Sequence, residues 1–155
     1  LLAAGEATAL PFAAGSAEVI AALGKAKSNV DFSLFGAIQQ AACAALDGPQ
    51  DICAANAALY RRRRDLVLDT WHALGWRLPT PRATMYVWGR IPRAYGTDDL
   101  ACVQDLLRRT GVLLSPGSGF GQYGAGCVRA SLGIDEAELA SAMAACREAD
   151  IDWRS

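Results

Sequence analysis

Histidine is almost missing from this sequence: His72 is the single one among 155 residues. With one imidazole and no Cys, Asp or Glu cluster at ligand spacing, a metal centre has little to be built from. No Ser-His-Asp or Cys-His order can be argued either, and His72, beside Trp71 on a helical stretch, reads as structural. Charge of one sign is also missing. Fifteen Lys and Arg against sixteen Asp and Glu leave a formal net charge of −1, and 52% of the residues are apolar. That balance excludes a disordered tail and a polybasic nucleic-acid arm. No apolar run approaches the roughly 20 residues of a membrane-spanning helix. Leu1–Gly5 is apolar but short, ends at Glu6 and lacks the basic flank of a secretory signal. Nor is there a CxxC pair among Cys43, Cys53, Cys102, Cys127 and Cys146. An odd, scattered set points to small buried hydrophobes in a reducing, cytoplasmic setting rather than to a disulfide framework.

What is present is periodic apolar patterning, enough for one core: a chain of this length buries about 70% of its unfolded surface. Phe12–Gly15 is a short strand candidate. Ser16 is placed to cap a helix from Ala17 to Lys27, which Asn29 and Asp31 break. Phe32–Leu46, apolar on nearly every side, predicts a helix buried on several faces. Pro49 suits the first position of a long helix to Leu74, along which Cys53, Tyr60, Val67 and Leu74 recur every seven residues before Gly75 ends it. The period then switches to two over Thr84–Ile91, as in a strand. Thr97 is the expected cap of a helix carrying Leu100, Val103 and Leu107 and closed by Gly111. Val112–Leu114 and Cys127–Leu132 read as strands on either side of a glycine-rich loop, Pro116–Gly126. Asp135, with Glu138 three residues on, opens a last helix to about Asp150. The fold class expected is α+β, a small α/β sandwich in which long helices lead into a short sheet covered by helices.

Three segments invite chemistry. Gly119-Phe-Gly-Gln-Tyr-Gly124 spells GxGxxG, but a dinucleotide site needs a helix opening within it, and here a strand follows. These glycines read instead as a tightly folded backbone. Arg61–Arg64 resembles a nucleic-acid patch, yet consecutive helical residues point about 100° apart. With Asp65 and Asp69 nearby, a solvated or ion-paired helix face is expected. Arg129 sits mid-strand after the glycine loop, where a guanidinium fork can hold a carboxylate through two parallel hydrogen bonds. A structural ion pair with Asp or Glu fits its spacing equally well.

In order along the chain stand Lys25-Ala-Lys-Ser-Asn-Val-Asp31, Ala37-Ile-Gln-Gln-Ala-Ala42 and Tyr60-Arg-Arg-Arg-Arg-Asp65. Ala83-Thr-Met-Tyr-Val-Trp88, Ser115-Pro-Gly-Ser-Gly-Phe-Gly121 and Cys127-Val-Arg-Ala-Ser-Leu132 follow. From about residue 12 onward the sequence resembles the C-terminal part of class I/II aminotransferases, pyridoxal-phosphate enzymes of fold type I, and within them the LL-diaminopimelate aminotransferase-like branch. The resemblance implies that residues 1–30 are the strand-and-helix end of a large domain and residues 31–155 a small domain. It implies amino acids and 2-oxo acids as substrates, and a large domain or homodimer mate as partner, with no role for nucleic acid or membrane. By resemblance Arg129 grips the substrate α-carboxylate, Asn29 reaches the substrate, often across the dimer interface, and Pro116–Gly121 line the cleft. Tyr86 and Trp88 match strand positions where core packing is expected.

The departures from the family pattern matter as much. Aligned backwards, Leu1 falls where the family has its Schiff-base lysine and Ala9 where it has a phosphate-binding arginine, while Lys25 and Lys27, the only lysines, match the helix leading to Asn29. The first residue is Leu rather than Met, as in a processed or truncated chain. The expectation is therefore a chain with no catalytic and no cofactor-binding residue of its own, holding pyridoxal phosphate without a covalent bond if at all, and inactive alone. The alternative is a non-catalytic module that binds a small carboxylate or a protein. Ala17–Lys27 and Phe32–Leu46 are expected to expose apolar surface in the isolated chain.

Overall fold

A computed structural model describes residues 13–31 and 34–154 and divides the chain into two compact units, Leu1–Cys53 and Ala54–Ser155. In the first unit, α1 spans Ala17–Lys27 and α2 spans Gly36–Asp47. The Ser16 hydroxyl accepts from the Val19 N–H at 3.4 Å, with Glu18 in the first turn and Lys25 and Lys27 in the last, so both helix ends carry the sign of charge their dipole favours. Neither helix contains a buried residue. The expectation of an α2 buried on several sides is thus corrected: Val19, Leu46 and the flanking Val30 and Phe35 are all exposed. The strand expected at Phe12–Gly15 is not seen over Ala13–Gly15, and Phe12 lies outside the described residues, as do Phe32 and Ser33.

The long helix α3 runs from Asp51 to Leu74, starting two residues later than Pro49 suggested. Its expected stripe is buried only toward its C-terminal end, where Val67, Leu68, Thr70 and Trp71 are enclosed while Cys53 is exposed. Gly75 stops it at φ 101°, a left-handed conformation natural to glycine. Then come β1 (Tyr86–Arg90), α4 (Asp99–Thr110), β2 (Ser115–Pro116), β3 (Cys127–Ser131) and α5 (Glu136–Glu148). The cap of α4 is Asp98, not Thr97; its carboxylate accepts from Ala101 N–H at 2.9 Å, and Gly111 closes the helix at φ 73°. Asp135 caps α5 as expected, accepting from Glu138 N–H at 2.8 Å. The described residues form a small α+β structure of five α-helices and one three-stranded antiparallel sheet.

β3 is the middle strand, in the order β1-β3-β2. Arg129 stands opposite Trp88 on one side and Ser115 on the other. The second strand is therefore Ser115–Pro116 rather than Val112–Leu114. Val87, Gly89, Val128 and Ala130 turn one face of the sheet inward, toward a core that also holds Val67, Trp71, Val103, Leu106, Leu139 and Met143. Trp76 is fully buried between Trp71 (centroids 4.7 Å) and Trp153 (5.6 Å), and its indole N–H donates to the Arg90 carbonyl at 2.8 Å. The opposite face carries Tyr86, Ser115 and Arg129, all half-buried, and the exposed Trp88. Among the described residues no helix is long and apolar enough to cross a membrane.

Candidate functional site

The sheet face carrying Arg129 exists because a strand alternates its side chains. With Val128 and Ala130 committed to the core, Arg129 must project outward. Its guanidinium lies 4.4 Å from the centroid of the Tyr86 ring and 4.4 Å from that of Phe120. Tyr86 comes from the neighbouring strand on the same face. Phe120 comes from the 3-10 turn Gly117–Phe120, nine residues back along the chain. Two aromatic faces around one cation each contribute about 0.5–2 kcal/mol and hold the planar group in a defined orientation. They leave its hydrogen-bonding edge unspent. Nε of Arg129 is buried with no hydrogen-bond partner, and among the described residues no carboxylate lies within ion-pair distance. A buried donor left unsatisfied costs about 1–3 kcal/mol, a condition Arg129 Nε shares with Arg63 Nε, Trp71 Nε1 and Trp153 Nε1. The structural ion pair that spacing alone left open for Arg129 is not made.

Three arginines of the basic run reach an oxygen, though Arg63 Nε is itself buried and unpartnered. Arg62 pairs with Glu136 at 3.1 Å, Arg63 donates to the Leu132 carbonyl at 3.0 Å, and Arg64 pairs with Asp65 at 2.6 Å while donating to the Pro81 carbonyl at 3.2 Å. Most of the basic run is thus engaged within the fold. His72 is structural too, its Nε2 2.9 Å from the Leu78 carbonyl oxygen.

Trp88 is not core, as its strand position suggested. It is 38% exposed and meets Phe120 edge to face at 5.8 Å. Tyr86 is half-buried beneath Arg129 rather than in the interior. The glycine loop folds as two 3-10 turns, Gly117–Phe120 and Gln122–Gly124, leading into β3. Gly117 and Gly124 press backbone on backbone: a Cβ on Gly117 would lie 2.7 Å from the Cys127 carbonyl oxygen and closer still to that of Gly124. This is the tight fold expected of the loop in place of a dinucleotide fingerprint. Two residues that sequence reading passed over anchor it to α4. Ser118 donates its backbone N–H at 2.7 Å and its hydroxyl at 2.9 Å to the two oxygens of Asp99, which is 4% exposed. Asn29 belongs to the Leu1–Cys53 unit, where its amide donates to the Lys25 carbonyl at 2.8 Å and closes α1.

Residues 8–145 match the family model described as aminotransferase class I and II. The chain belongs to the class I and II aminotransferase family. It is 46% identical over 132 residues to an LL-diaminopimelate aminotransferase from Desulforudis audaxviator, covering 85% of this chain and 33% of that protein. Among solved structures it is similar to a probable N-succinyldiaminopimelate aminotransferase from Thermus thermophilus, with TM-score 0.75 and 37% identity over 86% of this chain and 35% of that one. It is similar as well to BacF from Bacillus subtilis, with TM-score 0.77 and 29% identity over 89% of this chain and 35% of that one. The chain spans about a third of the length of the curated aminotransferases it matches.

Full-length members of the aminotransferase family use pyridoxal phosphate, whose aldehyde must bond to a lysine amine. The unit that carries Arg129 contains no lysine. Lys25 and Lys27 both lie in α1, and Lys27 is paired with Asp31. Both lysines of the sequence thus belong to the Leu1–Cys53 unit.

Proposed function

We propose that this chain is the small-domain part of an amino-acid:2-oxo-acid aminotransferase and that Arg129 holds the substrate α-carboxylate. One observation carries the reading: a guanidinium fixed between Tyr86 and Phe120, with its Nε buried and unpartnered and, among the described residues, no acid paired with it. The Nε–H and the adjacent Nη–H form one of the two parallel-donor edges a carboxylate meets bidentately. Arg129 orients substrate and makes or breaks no bond. In this reading residues 1–30 finish the large domain, residues 31–155 form the small one, and Asn29 is a second substrate contact. A large domain or dimer mate supplies the lysine and the groups that hold pyridoxal phosphate. The chain alone is catalytically silent for want of that amine. A cytoplasmic setting accords with the free cysteines.

Titration of the chain with 2-oxoglutarate, followed by calorimetry and by thermal shift, tests the carboxylate role. Binding is expected, with loss of at least 100-fold in Arg129→Ala and partial retention in Arg129→Lys, whose point charge cannot chelate. Equal affinity in Arg129→Ala would overturn it. Silence is tested by adding pyridoxal phosphate, reducing with borohydride and weighing the protein. No stoichiometric adduct at a defined lysine and no turnover of an amino acid are expected; both together would overturn that part.

A non-catalytic carboxylate-binding module is the second reading, favoured by the lysine-free unit around Arg129. Mixing the chain with a lysine-bearing large domain from a close relative separates the two. Restored transamination supports the enzyme part, and unchanged binding without turnover supports the module.

A further inference from the structure

Phe120 forms one wall of the guanidinium slot and ends the four-residue turn Gly117–Phe120. Phe120 is 52% exposed and, besides Arg129, meets Trp88 edge to face at 5.8 Å. What holds the turn is Ser118, two residues earlier, whose N–H and hydroxyl both donate to Asp99 at 2.7 and 2.9 Å. Asp99 is a buried carboxylate in the first turn of α4, where the helix dipole favours negative charge. Charge-assisted hydrogen bonds from two donors on one residue fix both position and rotation of that residue. The Gly117–Gly124 backbone contact removes the slack that would let the rest of the loop compensate.

We propose that Asp99 and Ser118 are positioning residues of the carboxylate site: by clamping the 117–120 turn to α4 they keep Phe120 on Arg129 and so aim the guanidinium edge at the ligand. This rests on the reading of Arg129 as the carboxylate fork. The clamp lies on α4 and the fork on β3, and the 117–120 turn joins them through Ser118 and Phe120.

The full chain, with 15N-labelled arginine, provides a readout that general stability does not move. The Arg129 Nε–Hε resonance, assigned from its loss in Arg129→Lys, is expected to carry a ring-current shift from the two flanking rings. In Ser118→Ala and Asp99→Asn it should move toward the position of exposed arginines. In Ser118→Thr, which keeps both donors, it should return. The dissociation constant for 2-oxoglutarate should rise about tenfold in Ser118→Ala and recover in Ser118→Thr, with melting curves confirming that each variant folds. If Asp99→Asn does not fold, the Ser118 pair carries the test. Loss of binding in Arg129→Ala with an unmoved resonance and unchanged affinity in Ser118→Ala would overturn the clamp and spare the fork. Unaltered binding in Arg129→Ala would overturn the fork, and with it the functional role of the clamp.

Discussion

The Leu1–Cys53 and Ala54–Ser155 units are both rich in apolar residues, yet they use them differently. In the first, neither α1 nor α2 buries a residue, and Val30, Phe35, Ile52, Leu46 and Val19 are 63–86% exposed. In the second, eighteen apolar residues, from Val67 to Trp153, form a single core. α1 has a Ser16 cap and end charges that suit its dipole, but no burial. A core needs side chains arriving from several elements at one point, and in the second unit α3, the sheet, α4 and α5 do this. Site geometry follows the core. Arg129 is held in place because its strand neighbours Val128 and Ala130 are buried.

The sharpest way to break this contrast is to remove an anchor from each unit. Trp76→Ala deletes a fully buried ring stacked against Trp71 and Trp153 and strands the Arg90 carbonyl. It should cost about 3–5 kcal/mol in urea unfolding. Val19→Ala, at 63% exposure, should stay within about 0.5 kcal/mol. Comparable losses would mean that Val19 is covered in solution.

Thiol chemistry sharpens the same division. Cys43 and Cys53 are exposed, and Cys102 and Cys146 are buried. Burial, with Asp105 and Asp99 adding to it, pushes the Cys102 thiol up to about 12, and burial raises Cys146 as well. At neutral pH Cys43 and Cys53 should react quickly with an aromatic disulfide, and the half-buried Cys127 more slowly. Cys102 and Cys146 should lag by on the order of a thousandfold, the rate at which the core opens. Protection of Cys43 and Cys53 would reveal a covered first unit.

Acid titration is expected to have a smaller effect. Asp105 accepts from the Tyr95 hydroxyl at 2.7 Å and from Arg109 at 3.1 Å, and these bonds hold its carboxyl below the usual range. A depressed folded value means stability that is intact above the ordinary carboxylate value, about 3.9, and lost as pH falls through the folded one. Asp105→Asn should therefore flatten the decline in melting temperature between pH 5 and 2, to an extent limited by solvent exposure of the carboxylate. Tyr95 shifts upward, through burial first and Asp105 second, so its contribution is full below about pH 10 and fades above. An unchanged acid limb in Asp105→Asn would show that the trio contributes nothing.

How far these features were legible follows from their range along the chain. Ser16, Gly75, Gly111 and Asp135 act within four residues of their effect, and each does in the structure what its position suggested. Arg129 was legible as a strand arginine, but its lack of an acid partner was not, because that depends on every element around it. The period-two pattern of Thr84–Ile91 gave two faces without saying which was inner. The bulky Tyr86 and Trp88 misled, since the core side of β1 is Val87, Gly89 and Ile91, with Leu78 filling the space beside the glycine. The apolar run Val112–Leu114 looked like a strand, yet pairing with the β3 edge falls one step later, at Ser115–Pro116. Phe120 on Arg129 and Ser118 on Asp99 bridge 9 and 19 residues, and no local rule connects them.

The smallest effect compares like with like, since both units begin a helix with a side-chain cap. Asp135 accepts from Glu138 N–H at 2.8 Å at the start of α5, and Ser16 from Val19 N–H at 3.4 Å at the start of α1. Losing either cap frees one backbone donor, worth about 1 kcal/mol to the helix concerned. The consequence depends on what the helix is tied to. α5 contributes Leu139, Met143 and Cys146 to the core, so its unravelling is coupled to global unfolding, and Asp135→Ala should lower global stability by about 1 kcal/mol. α1 buries nothing, so Ser16→Ala should leave the urea midpoint unmoved and reduce only the far-ultraviolet helical signal, by about one turn. A shift of the main transition in Ser16→Ala as large as in Asp135→Ala would mean that α1 unfolds together with the core, and the two units would have to be treated as one cooperative body.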